Sequence, residues 1–109
     1  MPADFTVYDS SDYGVALDVT LTDASEVAQD ISAATAVQFL AESPSTRTLK
    51  TWTGGFATDG TDGTARYTLA SGDLLVASSA EPGNWTLRVR LTYASSVVTS
   101  DEMTLRVLR

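Results

Sequence analysis

Alternation of apolar and polar residues with a period of two constrains this sequence more than any other feature. Apolar side chains occupy every second position across residues 15–21, and the same pattern returns across residues 85–93 and 103–108. Successive side chains of a β-strand point to opposite faces, so this pattern is typical of strands with one buried face. The sequence therefore predicts three strands at these positions and an all-β fold.

Weaker strand signals fill the intervals, at residues 5–8, 36–41, 49–56 and 64–69. Turn-forming polar segments separate the strands at residues 9–12, 43–45, 59–63, 81–83 and 94–96. Seven short strands with this spacing predict a seven-stranded immunoglobulin-like β-sandwich that fills residues 1–109 as a single domain, with a small barrel as the alternative. Trp52 and Trp85 lie on the apolar faces of their strands, so we expect both indoles between the sheets.

Two further segments, residues 30–33 and 71–74, combine a capping side chain with an apolar residue. Such a combination favours a single helical or 3₁₀ turn. We expect these turns to form corners between the sheets.

The composition excludes several classes of function. The chain has no cysteine and no histidine, which excludes disulfides, a thiolate nucleophile, a histidine-dependent catalytic triad and an ordinary structural zinc site. Seven basic residues against fourteen acidic ones give a formal charge of −7, which opposes binding to nucleic acid or to an anionic membrane. The chain also lacks the apolar runs of a membrane span or signal peptide, which predicts synthesis in the cytoplasm.

Few residues are candidates for catalysis or metal binding. Asp59 and Asp62 each precede a glycine in an Asp-Gly-Thr-Asp-Gly segment, which offers oxygen ligands to a cation such as Ca²⁺, but Asp-Gly is more commonly a turn. Lys50 is the one lysine, and no nucleophile elbow accompanies it. The neighbours Asp101 and Glu102 point to opposite faces of a strand and do not form a catalytic pair. We therefore predict no enzymatic activity, no catalytic residues, no metal site and no cofactor.

The basic residues show the most informative pattern. If the last two long strands are neighbours in one sheet, Arg88, Arg90 and Arg106 share its outward face, which predicts a protein-binding stripe on an acidic protein. The alternative interpretation is that each arginine covers the sheet with its aliphatic stem or pairs with a carboxylate on a neighbouring strand. No aromatic residues alternate with the arginines, so the stripe does not favour nucleic acid.

The order of strand starts and turns resembles a known family. The segments that carry the resemblance are residues 15–21, 30–35, 62–68, 72–74 and 82–87, with the sequences VALDVTL, DISAAT, DGTARYT, GDL and PGNWTL. Together they resemble the immunoglobulin-like N-terminal domain of phage baseplate upper proteins and related short proteins of tailed phages. The family's hairpins often carry Asp-Gly where this chain has Ser43-Pro44-Ser45-Thr46 and Ala94-Ser95-Ser96, so these two loops are expected to differ.

The resemblance implies a structural protein of the virion, attached to the tail, baseplate or fibre, or decorating the capsid. The implied partners are other virion proteins, with no nucleic acid and no membrane, and association between copies of the chain stays open. Baseplate upper proteins continue into a trimerising segment beyond the point where this chain ends, so contact with a receptor-binding protein is not carried over. We also expect the N-terminal segment, residues 3–8, to be able to add to a partner's sheet. The alternative function is a module that binds carbohydrate or a host surface, for which Tyr8 and Tyr13 are the candidate aromatics.

Overall fold

The computed structural model describes residues 5–7, 13–22, 27–76, 79–80, 82–100 and 102–108. Over these residues the fold is all-β, without helices, and contains eleven strands. The strands are β1 (Phe5–Val7), β2 (Ala16–Thr20), β3 (Ala36–Glu42), β4 (Leu49–Thr53), β5 (Gly55–Phe56), β6 (Thr64–Thr68), β7 (Leu75–Val76), β8 (Ser79–Ala80), β9 (Gly83–Thr92), β10 (Val97–Thr99) and β11 (Met103–Val107).

The strands form two main sheets. The larger sheet has six strands in the order β1-β11-β9-β3-β4, with β10 also paired to β9 beyond the end of β11. The smaller sheet has three strands in the order β2-β6-β5, and β7 and β8 form a separate hairpin. The pairings are antiparallel except for β1, which runs parallel to β11.

One apolar core lies between the two main sheets, so the domain is a β-sandwich. The six-stranded sheet contributes Phe39 and Trp85, and the three-stranded sheet contributes Leu17 and Val19, all at most 1% exposed. Side chains alternate between buried and more exposed positions along β2, β3, β9 and β11. Trp52 is 5% exposed and Trp85 is fully buried, which confirms the expected location of both indoles.

Each of the seven predicted segments contains a strand, but the predicted count of seven is wrong. The segment 49–56 divides at Gly54, because β4 pairs with β3 in the six-stranded sheet and β5 pairs with β6 in the three-stranded sheet. A Cβ atom at Gly54 would lie 2.8 Å from the Arg66 carbonyl oxygen and 2.8 Å from the ring of Phe39. The chain thus changes sheets where only glycine permits so close an approach.

The other additional strands are β7, β8 and β10. β10 escapes the alternation pattern because its neighbouring residues Val97 and Val98 are both exposed. At the two expected corners the chain forms hydrogen-bonded turns, in which the amide of Ala34 donates to the carbonyl of Ile31 and that of Leu75 to the carbonyl of Gly72. Ile31 and Leu74, the apolar residues predicted there, are buried. The predicted turn at residues 9–12 lies outside the described residues.

Candidate functional site

The outer face of the six-stranded sheet carries the three arginines that the sequence predicts to share a stripe. β9 and β11 are neighbours, with Leu105 opposite Trp85, so the residues that alternate with this buried pair face outward. Arg88 and Arg90 lie on β9, and Arg106 lies on β11 opposite Asn84. All three are therefore on one face, but Arg106 lies four positions from Arg88 along the strand direction.

The three arginines differ in their partners. An Nη2 atom of Arg88 lies 2.5 Å from the carboxylate of Glu102, and both side chains are exposed. Arg90 donates from Nε and Nη2 to the Oε1 atom of Gln38 at 2.9 and 2.5 Å. In the part of the chain that the structure describes, Arg106 forms no ion pair. The interpretation as a cross-strand ion pair thus applies to Arg88 and not to the other two.

Gln38 gives Arg90 a fixed position without neutralising it. It lies on β3 directly opposite Arg90, and its amide oxygen accepts two hydrogen bonds while carrying no net charge. The remaining guanidinium donors of Arg90 are available to an oxygen acceptor outside the chain, since an arginine has five N–H donors. A carboxylate is one of the acceptors that a guanidinium binds most strongly. Sequence reasoning missed Gln38, although the alternation in β3 places it on the outward face.

A second polar cluster joins β4 and β6 to the turn before β7. The Nζ atom of Lys50 donates to the carbonyl oxygens of Asp73 at 2.8 Å and of Leu75 at 2.5 Å. The hydroxyl of Tyr67 donates to the Asp73 carboxylate, which also accepts from the amide of Ala70. Lys50 therefore holds the backbone of this turn in place, which is a structural role.

The aromatic ring of Tyr67 belongs to the core of the same cluster. It stacks on Trp52 with the ring centroids 5.1 Å apart and lies 5.9 Å from the ring of Phe39. Partial burial, together with the hydrogen bond to Asp73, raises the pKa of Tyr67 to about 12. The phenol is consequently neutral throughout the physiological range, as expected for a partly buried hydrogen-bond donor.

In the acidic loop between β5 and β6, the aspartate carboxylates accept hydrogen bonds from neighbouring residues of the chain. Asp59 accepts from the amide and hydroxyl of Thr61 at 3.0 and 2.6 Å, and the carboxylate of Asp62 accepts from Thr58 and from the amide of Thr64. The hydrogen bonds from Thr61 hold the pKa of Asp59 below its usual value. Across the described residues, no group of three or more acidic, histidine or cysteine side chains has an arrangement that could hold a metal ion. The Asp-Gly turns account for the contacts observed here.

Among the aromatic residues of the described segments 13–76 and 82–108, Tyr13 is the one with an exposed side chain, at 67%. Tyr67 and Tyr93 pack against the core, and Tyr8 lies outside the described residues. No second aromatic side chain thus joins Tyr13 to form a described stacking platform for a sugar.

No protein-family model matches the chain, and no curated protein matches its sequence. No helix in the described part of the chain is long and apolar enough to cross a membrane.

Proposed function

We propose that this protein is an immunoglobulin-like domain that serves as a non-enzymatic structural module of a tailed-phage virion. It attaches to the tail, baseplate or fibre, or decorates the capsid, through protein–protein contacts. The observation that carries the proposal is the strand order of the two sheets. The assignment to a virion rests on the sequence segments that resemble phage baseplate upper proteins.

The strand order supports the immunoglobulin-like assignment. In the constant-type form of that fold the first, second, fifth and fourth strands form one sheet, and the third, sixth and seventh form the other. Here β2, β6 and β5 occupy the positions of the second, fifth and fourth strands, and β3, β9 and β11 occupy those of the third, sixth and seventh, whereas β1 pairs with β11 in the larger sheet. β4 extends the larger sheet beside β3, as the additional strand of variable-type domains does.

The segments that resemble the phage family correspond to strand starts and turns in the structure. Residues 15–21 include β2, residues 62–68 run from the Asp-Gly turn into β6, and residues 82–87 include the start of β9. These segments support a relation through fold and carry no catalytic chemistry, since function depends on the site that a fold presents.

The docking surface that we propose is the outer face of the six-stranded sheet around Arg90 and Arg106. Arg90 is oriented by the neutral Gln38 at 2.9 Å, and Arg106 is exposed on the neighbouring β11. Two positive charges on this face would give an otherwise acidic protein a defined orientation toward an acidic partner surface. Electrostatic complementarity of this kind guides association and register more than it raises affinity.

If many copies of the protein bind one virion, a small contact area per copy is sufficient for attachment. A charged rim contact adds little free energy by itself. Copies placed on a symmetric particle raise the effective concentration of each further contact, so weak individual interfaces hold collectively. The mechanism is therefore adhesion through surface complementarity.

Immunogold electron microscopy of intact particles from the source lysate tests the virion role. With antibody against this protein, we expect gold particles on virions. Label on the head identifies a decoration protein, and label on the tail identifies an adaptor. Virions that carry no label while the unassembled fraction contains the protein would contradict the proposal.

Charge reversal tests the docking surface. The double variant Arg90→Glu, Arg106→Glu should bind virions at least tenfold less than the unchanged protein, because it replaces two attractions with two repulsions. The matched control is Arg66→Glu on the outer face of the other sheet, where Arg66 pairs with Asp18 at 2.6 Å. The control should keep its binding and, like the double variant, its β-sheet circular dichroism spectrum. Equal binding by the double variant and the unchanged protein would exclude this face.

A further inference from the structure

A cleft opens between the two sheets where β2 faces β10. Its volume is about 290 Å³. Four buried apolar side chains form its floor, and uncharged polar residues including Thr20, Gln29 and Ser100 stand at its rim. The floor residues are Val19, Val89, Leu91 and Met103. No charged side chain lines the cleft among the described residues, which distinguishes it from the arginine-bearing face.

The outer edge of β2 lacks a partner strand in the described part of the chain. β2 pairs with β6 on one side, and the three-stranded sheet ends at β2 on the other. The amide of Leu69 donates to the carbonyl of Val15, and that of Leu21 donates to the carbonyl of Gly63, so the odd-numbered residues bond toward β6. In an antiparallel ladder the backbone groups of the intervening residues point the other way. Those of Asp18 and Thr20 are therefore directed toward the open side.

β10 offers the same arrangement on the opposite side of the cleft. The amide of Tyr93 donates to the carbonyl of Ser96, and that of Ser100 donates to the carbonyl of Val89. The antiparallel alternation then turns the backbone groups of Val97 and Thr99 away from β9. The side chain of Val98 lines the cleft and is 51% exposed.

We propose that this cleft is an acceptor site for one extended segment of a partner chain, which adds to the edge of β2 and inserts apolar side chains between the sheets. Unpaired strand edges bind extended chains through backbone hydrogen bonds, and pockets beneath the edge select alternate side chains. The cleft volume is about twice the roughly 150 Å³ of an apolar cavity that holds benzene. It therefore accommodates two medium-sized apolar side chains from alternate positions of the added strand.

The uncharged lining of the cleft and the strand edge beside it indicate a neutral extended strand as the occupant. A charged ligand would find no opposite charge on the described walls, whereas a strand finds a backbone edge above an apolar floor. The first strand of this chain, β1, is already paired with β11 in the other sheet. In constant-type immunoglobulin domains the first strand lies beside the second, and the corresponding position beside β2 carries no described strand. This comparison rests on the strand order of the proposed function, whereas the cleft and edges do not depend on the virion role.

Peptide binding to the full chain tests the site. The probes are capped decapeptides in which threonine alternates with valine, isoleucine or leucine. Amide hydrogen exchange measured by NMR should slow at least tenfold at Asp18 and Thr20 in the presence of saturating peptide. The outward amides of β4, at the far edge of the six-stranded sheet, should be unchanged.

A pair of adjacent valines supplies the control. Val98→Lys should abolish the protection because it places a charge in the cleft, whereas Val97→Lys, at a similarly exposed neighbour whose side chain does not line the cleft, should retain it. Equal effects of the two substitutions, or no protection with any peptide, would overturn the proposal. Binding only after deletion of residues 1–4 would also overturn it, since the chain's own N-terminus would then be the occupant. Peptide protection together with unlabelled virions would sustain this site while refuting the virion role.

Discussion

At the scale of single residues, partly buried polar side chains stabilise specific turns. No buried side-chain nitrogen or oxygen in the described residues lacks a hydrogen-bond partner. Lys50 and Tyr67 both form hydrogen bonds to Asp73, and they do so beside Trp52, whose ring stacks on that of Tyr67. Such hydrogen bonds favour one packing arrangement, because an alternative arrangement would separate partly buried donors from their acceptors.

Tyr67 should make the free energy of unfolding decrease as the pH rises above 10. Its pKa rises from 10.0 to about 12 in the folded protein, so its stabilising contribution is complete below pH 10 and is lost as the pH rises toward 12. We expect Tyr67→Phe to flatten the decrease in unfolding free energy over this interval, measured by urea denaturation. At neutral pH the variant should be less stable by about 1 kcal/mol, because the hydrogen bond to Asp73 is absent.

Tyr13→Phe is the matched control for this measurement. Tyr13 is 67% exposed, so removal of its hydroxyl should leave the alkaline decrease in place. If Tyr13→Phe flattened the alkaline decrease in unfolding free energy as much as Tyr67→Phe does, Tyr67 would not be the source of that decrease.

The sequence predicts which residues are buried better than it predicts which residues touch. The alternation around Trp85 predicts its burial because a period of two assigns a face to each side chain. The contact between Arg90 and Gln38 depends on the register of β9 against β3, which brings together residues 52 positions apart. Nothing in either segment alone specifies that register, so the orientation of Arg90 could not be predicted.

At the scale of elements, the turn between β5 and β6 depends on glycine. Gly63 has a φ of +76°, and a Cβ atom there would lie 2.5 Å from the carbonyl oxygen of Gln29. Gly14 has almost the same φ, +77°, with no atom within 4 Å of such a Cβ. The two positions therefore separate the cost of the backbone conformation from the cost of crowding.

We expect Gly14→Ala to lower the free energy of unfolding by about 1–2 kcal/mol, the cost of a left-handed conformation for alanine. Gly63→Ala should cost roughly 3–5 kcal/mol, because the methyl group also collides with backbone that packs against β2. Urea denaturation followed by tryptophan fluorescence measures both. Equal losses in the two variants would mean that the backbone near Gln29 moves aside freely.

Strands with repeated alternation could be predicted from the sequence, whereas β7, β8 and β10 could not. β2, β9 and β11 each contain at least two full alternations, whereas β7 and β8 have two residues each and β10 has three. A two-residue strand is defined by its pairing, which depends on the rest of the fold. The cleft beside β2 escaped prediction for the same reason, since it depends on where two sheet edges end.

At the scale of the whole molecule, charge sets how copies of the protein interact. The formal charge is −7 at pH 7 and the isoelectric point is near 4.2. Repulsion between copies keeps them dispersed at neutral pH and disappears near the isoelectric point.

Light scattering should therefore rise steeply as the pH approaches 4.2, with the fold intact. Hydrogen bonds from Ser32 and Thr61 hold the pKa values of Asp30 and Asp59 below 3.8, and the hydrogen bond from Arg66 does so for Asp18. A lowered pKa contributes stability above the unfolded value that is lost only as the pH falls below it, so these carboxylates still support the fold at pH 4.2. The control is a circular dichroism spectrum that is unchanged between pH 7 and pH 4.2. Equal light scattering at these two pH values would contradict the expectation.

The parallel pairing of β1 with β11 determines how the domain responds to mechanical force. Phe5 lies beside Leu105 and Val7 beside Val107, so tension applied before β1 and after β11 pulls the two strands in opposite directions along their length. The hydrogen bonds between them are then loaded together in shear, whereas an antiparallel hairpin pulled from its open end separates one bond at a time. A domain built in this way transmits tension through its terminal strands while the core between its sheets stays closed.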